Sequence, residues 1–83
     1  MSLRRLQIFL EVASRGSFAA AADRLGLAQS AVSMQMRTLE QELGADLFDR
    51  SRRPPVLNDR GAALIPQARA ILTQYEDLKQ SVQ

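Results

Sequence analysis

The chain has no cysteine and no histidine. The first absence excludes a disulfide framework, a thiolate nucleophile and a cysteine zinc site. The second removes the commonest general base and a frequent metal ligand. No cluster of acids stands at a metal-binding spacing either, so the sequence offers no site for an enzyme, and no cofactor is expected. No apolar run approaches the length of a membrane helix and no secretory signal is visible, so a soluble, cytoplasmic protein without membrane contact is expected. Lysine is nearly absent too. Ten of the eleven cations are arginine, which forks onto phosphate and guanine as lysine cannot. The net charge is only +2, so the useful question is where those arginines lie.

What is present is a chain of 83 residues with 46% hydrophobic content, too apolar for disorder. A body of this size buries only about 60% of its unfolded surface, so partners are expected.

The most informative stretch runs from Ser17 to Leu43, SFAAAADRLGLAQSAVSMQMRTLEQEL. It reads as two helices joined by a short turn at Leu25-Gly26-Leu27. Ser17 is a good N-cap, and Ala19 to Ala22 form a run of the highest helix propensity. Gly26 stops the first helix, and the second restarts near Gln29. Val32, Met36, Leu39 and Leu43 make an apolar stripe on the second helix. Gln29, Ser30, Ser33, Met34 and Arg37 remain on the other side. That surface carries no acid, whereas Glu40 and Glu42 lie at the far end. A neutral, hydrogen-bonding helical face of this kind suits a DNA major groove. Spacing alone fits an ordinary helical hairpin equally well; the distribution of acids favours DNA.

Upstream, residues 3–15 read as a bracing helix with Leu6, Phe9, Leu10 and Ala13 inward and Val12 beside them. Arg4 and Arg5 read as solvated charges, with a phosphate contact from either as the alternative. Phe18, Ala21, Ala22 and Leu25 are the expected inward face of the second helix. Three helices with a tight turn between the last two give a helix-turn-helix. After the stop at Gly44 come the apolar pair Leu47-Phe48, then DRSRRPPVLN, then a return to Val56-Leu57. This pattern predicts a small β-hairpin with Arg50, Arg52 and Arg53 at a tip stiffened by Pro54 and Pro55, that is, a basic wing. Such a wing can straddle a phosphate backbone or enter the minor groove; a solvated surface turn is the alternative.

Asn58 caps a last helix with Asp59 in its first turn. This helix is expected to reach about Gln80, with a bend at Pro66. Gly61, Leu64, Ala68, Ile71, Tyr75, Leu78 and Val82 recur at steps of three and four, with Ile65 and Leu72 widening the stripe. The heptad spacing predicts helix-on-helix packing; the stripe can lie on its own domain, but a helix this long outruns an 80-residue core, so its distal part needs a partner. A two-fold homodimer seam formed by Leu64, Ala68, Ile71, Leu72, Tyr75 and Leu78 is the simplest partner. A protein-interaction module, with an incidental hairpin and a coiled-coil helix, is the rival from another class.

The segments LRRLQIFLEVASRGSF, AADRLGLAQSAVSMQMRTLEQELGADLFDR and LNDRGAALIPQARAIL together resemble the N-terminal DNA-binding region of LysR-type transcriptional regulators. The resemblance covers Leu3 to about Leu78. It implies a mainly α fold, with a winged helix-turn-helix over residues 1–58 and a dimerisation linker helix over 59–83. It implies a bacterial regulator that binds double-stranded DNA as a dimer at an inverted repeat, with tetramers possible in the full-length protein. Any small-molecule effector would bind a C-terminal domain of two α/β subdomains that this chain does not contain. Position by position, Gln29, Ser30 and Ser33 match the family's recognition-helix contacts, and Arg50, Arg52 and Arg53 match the basic wing. Ser17 and Phe18 match the start of the second helix, whose free N–H groups can hold a phosphate. Three places depart from the family's pattern. Met34 stands where arginine is usual, Ala28 replaces the usual serine cap, and Ala19 and Ala20 replace common polar residues. Together they imply fewer phosphate contacts and a lower salt slope, and they speak against copying a relative's base specificity onto this chain.

Overall fold

Helix ends in this chain are written by single residues. In the computed structural model, which describes residues 3–83, Ser17 stands just outside a helix. Its Oγ accepts from the Ala20 N–H at 3.0 Å, satisfying one orphan donor of the first turn. Gly26 adopts φ 68°, the left-handed conformation that a Cβ disfavours, and so ends the same helix. The elements follow in order: α1 (Leu3–Arg15), α2 (Phe18–Leu25), α3 (Gln29–Leu43), β1 (Phe48–Asp49), β2 (Val56–Leu57) and α4 (Asp59–Ser81). The strands pair antiparallel, Phe48 opposite Leu57 and Asp49 opposite Val56. The fold is mainly helical, with the expected hairpin between α3 and α4. The expected end of α1 at Arg15 agrees with the structure.

The core collects Phe9, Ile8, Met36, Leu39, Leu47 and Val32, each at most 2% exposed. Phe48 anchors the hairpin in it. Its ring stands edge-on to Phe18 at 5.1 Å and to Phe9 at 6.3 Å between centroids, a favoured aromatic geometry. The hairpin base is therefore fixed by the same residues that pack the helices.

Several inward assignments change. Ile8 is buried and Ala13 is only half-buried, whereas Leu10 and Leu25, also half-buried, pack against the core as expected. The reason is that α1 packs against α4 as well as against α2 and α3, so its buried arc is wider and rotated relative to a single stripe. Leu43 is 39% exposed, not inward: the chain leaves the helix at Gly44 (φ 68°), so this last residue projects past the packed layer. Arg5 is not a solvated charge. Its Nε donates to Gln35 Oε1 at 2.8 Å and its guanidinium meets Glu42 Oε1 at 2.9 Å, tying α1 to α3.

The last helix runs unbroken through Pro66 and is capped by the Asn58 side chain, which accepts from the Gly61 N–H at 2.8 Å. The same side chain donates to the Asp46 carbonyl, so one residue holds both the helix start and the hairpin base. Along α4 the heptad stripe divides. Ala68 is buried on its own domain, and Leu64, Ile65 and Leu72 pack against the same core. Ala68, 1% exposed, has no surface left for a seam with a second copy, and Leu64 and Leu72 are partly committed to the domain's own core. Ile71, Tyr75, Leu78 and Val82 stay exposed, at 47%, 37%, 62% and 80%.

Gly61 belongs to this junction and not to the stripe. A Cβ there would collide with the Leu47 carbonyl oxygen and lie 2.8 Å from Leu57 Cδ2. The backbone carbonyl cannot move aside, since it accepts from the Asn58 N–H at 2.9 Å. Gly61→Ala is therefore expected to destabilise by about 1–3 kcal/mol, the usual cost of overpacking, despite alanine's better helix propensity. Thermal unfolding of the variant checks this; a raised melting temperature would contradict the close approach.

Candidate nucleic-acid interface

The outer face of α3 begins without a side-chain cap. Ala28 has extended backbone angles, and its carbonyl accepts from the Ala31 and Val32 N–H groups, but its methyl group can satisfy none of the helix's free N–H groups. From this start, Gln29, Ser30, Met34 and Arg37 are exposed and Ser33 is half-exposed. No carboxylate stands between Gln29 and Leu39.

A cleft of about 630 Å³ separates this face from the hairpin. Gln29, Ser30, Ser33 and Arg37 form one wall, and Arg50, Arg52, Arg53, Pro54 and Pro55 the other, with Phe18 also lining it. Hydrogen-bonding groups of α3 thus face guanidinium groups across a solvent-filled gap. Met34 lies outside the cleft. Ser17 uses its hydroxyl as the α2 cap, and the Phe18 ring is buried; what α2 can offer outward is backbone N–H.

The three wing arginines are not equivalent. Arg52 and Arg53 are exposed at the turn. Arg50 sits at the hairpin base, its guanidinium 2.7 Å and 3.0 Å from the two carboxylate oxygens of Glu40 and 5.6 Å from the Phe48 ring centroid. Glu40 is only 7% exposed, and its Oε2 also accepts from the Leu47 and Phe48 N–H groups at 2.8 Å and 3.3 Å. One carboxylate therefore holds the backbone entering β1 and the first arginine of the wing. Arg50 borders the cleft, but as a strut rather than a tip.

Glu40 was missed by counting acids along α3. The available signal was its position: it follows Met36 by four residues and adjoins Leu39, so it lies on the buried arc where an unpaired glutamate would be costly. At the turn, the Asp49 carboxyl accepts from the Ser51 hydroxyl and the Ser51 N–H. These bonds, aided by the charge of Arg52, hold it below the usual carboxylate range.

Behind the wing a second cleft, about 500 Å³, lies between the end of α3 and the start of α4, with Arg60 on its rim. Arg37 and Arg50 border both clefts, so cations continue from the outer face of α3 past the hairpin towards α4.

Residues 3–62 match the model of the bacterial regulatory helix-turn-helix proteins, lysR family. An HTH-type transcriptional regulator encoded in the ibpB-leuC intergenic region of Azotobacter vinelandii is 44% identical over 82 residues, covering 99% of this chain and 57% of that protein. The HTH-type transcriptional regulator CfxR of Cupriavidus necator is 41% identical over the whole chain and 26% of its own length. The chain thus spans between a quarter and just over half of these relatives. Among solved structures, the DNA-binding domain of CbnR in complex with DNA superposes with a TM-score of 0.92 at 38% identity, covering 99% of this chain and 94% of that one.

Proposed function

The chain belongs to the lysR family of bacterial regulatory helix-turn-helix proteins, and from that membership we propose that it binds double-stranded DNA sequence-specifically as the DNA-binding part of a transcriptional regulator. The observation that carries this reading is the acid-free outer face of α3 set across a cleft from exposed arginines. In the proposal, α3 enters the major groove. Gln29 pairs with an adenine edge or bonds beside a thymine methyl, and Ser30 and Ser33 reach base edges or phosphate. Arg37, Arg52 and Arg53 grip phosphates, the last two from the wing along the backbone or the minor groove. Arg50 contributes from the hairpin base, and the first N–H groups of α2, at Ser17 and Phe18, hold another phosphate.

Residues 1–58 form the reading unit in this proposal, and 59–83 the dimerisation helix, whose first turns also brace α1. The surface proposed for a second copy is the distal stripe, Ile71, Tyr75 and Leu78, bordered by Leu72 and Leu64. A two-fold pair would present two copies of α3 to an inverted repeat, one per half-site. The role is binding without catalysis, in the cytoplasm where bacterial DNA lies. A small-molecule effector and any tetramer are proposed only for a longer regulator, since the chain spans a quarter to just over half of the length of these relatives.

Selection of duplexes from a random pool tests the reading. The expected product is a pair of inverted half-sites at one fixed spacing. Leu78→Glu would put a charge into the proposed seam, and it is expected to yield monomers by sedimentation and to abolish the spacing preference while leaving single half-site binding intact. Recovery of random sequence would overturn the proposal and favour a protein-interaction role for the helices.

A further inference from the structure

Met34 is the part of α3 that hydrogen-bond readout leaves unexplained. It is 67% exposed, and it lies outside the cleft that the polar residues of this face share with the wing. Ser30, Met34, Arg37 and Gln41 fall at i, i+4, i+7 and i+11, a single outer stripe of exposed residues with Met34 in its middle. The only other large exposed apolar residue of α3 is Leu43, about 13 Å further along the axis at 1.5 Å per residue. A lone exposed methionine is ordinarily unremarkable. Here its neighbours restrict what can cover it. It stands between a hydroxyl and a guanidinium, on a surface without a carboxylate, which suits an anionic partner and not an apolar protein patch.

In a major groove an apolar side chain has little to gain. Guanine and adenine present acceptors, and cytosine and adenine present amino donors. A thioether pressed on any of these removes their water and returns almost nothing. The one apolar group on the groove floor is a methyl at C5 of a pyrimidine. Methionine is long, flexible and polarisable enough to settle on it. Building on the DNA-binding reading above, we propose that Met34 reads the C5-methyl group of a pyrimidine, thymine or 5-methylcytosine, at one position in each half-site.

The test uses a duplex recovered from the random pool. Each thymine of the half-site is replaced in turn by uracil, which removes the methyl and nothing else. In a parallel series each of those A·T pairs becomes G·C, with cytosine either unmodified or C5-methylated. At one position the wild type is expected to lose about fourfold in affinity on thymine→uracil, the factor that follows from about 0.8 kcal/mol per buried methyl. At that position 5-methylcytosine is expected to exceed cytosine by a similar factor if either methyl source is read; a thymine effect alone assigns the contact to thymine. Met34→Leu keeps the discrimination, while Met34→Gln, of similar length and helix propensity, reduces it to within twofold. Indifference of the wild type to every methyl, or full discrimination retained by Met34→Gln, overturns the inference. Specific binding without a methyl effect defeats this inference alone, whereas failure to select any duplex defeats the DNA-binding reading with it.

Discussion

Glu40→Ala is expected to lower the unfolding free energy by about 3–5 kcal/mol, the range for removing one partner of a buried ion pair. The substitution removes the acceptor of two buried backbone N–H groups, at Leu47 and Phe48, and leaves the Arg50 guanidinium beside an apolar methyl. A chain of this size has a total stability of roughly 4–12 kcal/mol at about 0.05–0.15 kcal/mol per residue, so the substitution would remove from about a quarter to all of it. Urea unfolding followed by circular dichroism measures the loss. Glu40→Gln keeps a carbonyl acceptor for the N–H groups and removes only the charge, so its cost should be smaller. Pairing Glu40→Gln with Arg50→Met removes the stranded cation and should recover part of the difference. A loss below about 1 kcal/mol for Glu40→Ala would put the pair in the range of solvent-screened surface bridges and remove its role as the wing's anchor.

The second large effect is on DNA affinity. Arg52 and Arg53 are exposed and have no ion-pair partner among the salt bridges of the described residues, so Arg52→Ala/Arg53→Ala should leave stability within about 0.5 kcal/mol of the parent. If each neutralises one phosphate, the slope of log K against log salt should shrink by about 1.8, at 0.9 per contact. Extrapolated from 1 M salt, that corresponds to roughly a fifty- to hundredfold loss at about 0.1 M. The order of preference among duplexes should change little, because phosphate contacts position the protein and carry no sequence information directly. Fluorescence anisotropy at four or five salt concentrations reads both quantities. An unchanged slope would take the wing off the DNA. Arg50 is best left out of this variant, since its removal strands Glu40 and mixes a folding defect with a binding one.

The two experiments separate properties that look identical along the chain. Arg50, Arg52 and Arg53 are one basic run in sequence, yet one braces the hairpin and two face solvent. Fold class and the order of helices and hairpin were legible because the signals are local. The Ser17 hydroxyl reaches an N–H three residues on, Gly26 and Gly44 end helices by their own φ, and Asn58 caps α4 in the same way as Ser17 caps α2. The candidate DNA-reading face of α3 was legible for a related reason, since helical periodicity together with the absence of acids defines one side of a single element.

What a single element cannot reveal is which neighbour covers it. Ala68 and Tyr75 occupy equivalent places in one heptad pattern, seven residues apart, but the fold buries the first and leaves the second exposed. Ile8 became core because a second helix lies on its flank, and Gly61 proved to be a backbone contact point because the hairpin crosses it. Glu40 acquired its partners from residues seven to ten positions further on, across a glycine turn. Element boundaries, caps and the neutral face of α3 were determined by the sequence alone, because their physics acts within about one helical turn. The pairing of Glu40 with Arg50 and the division of α4 into a buried and a free stripe were decided only by the tertiary structure, because burial depends on which distant segments arrive beside a residue.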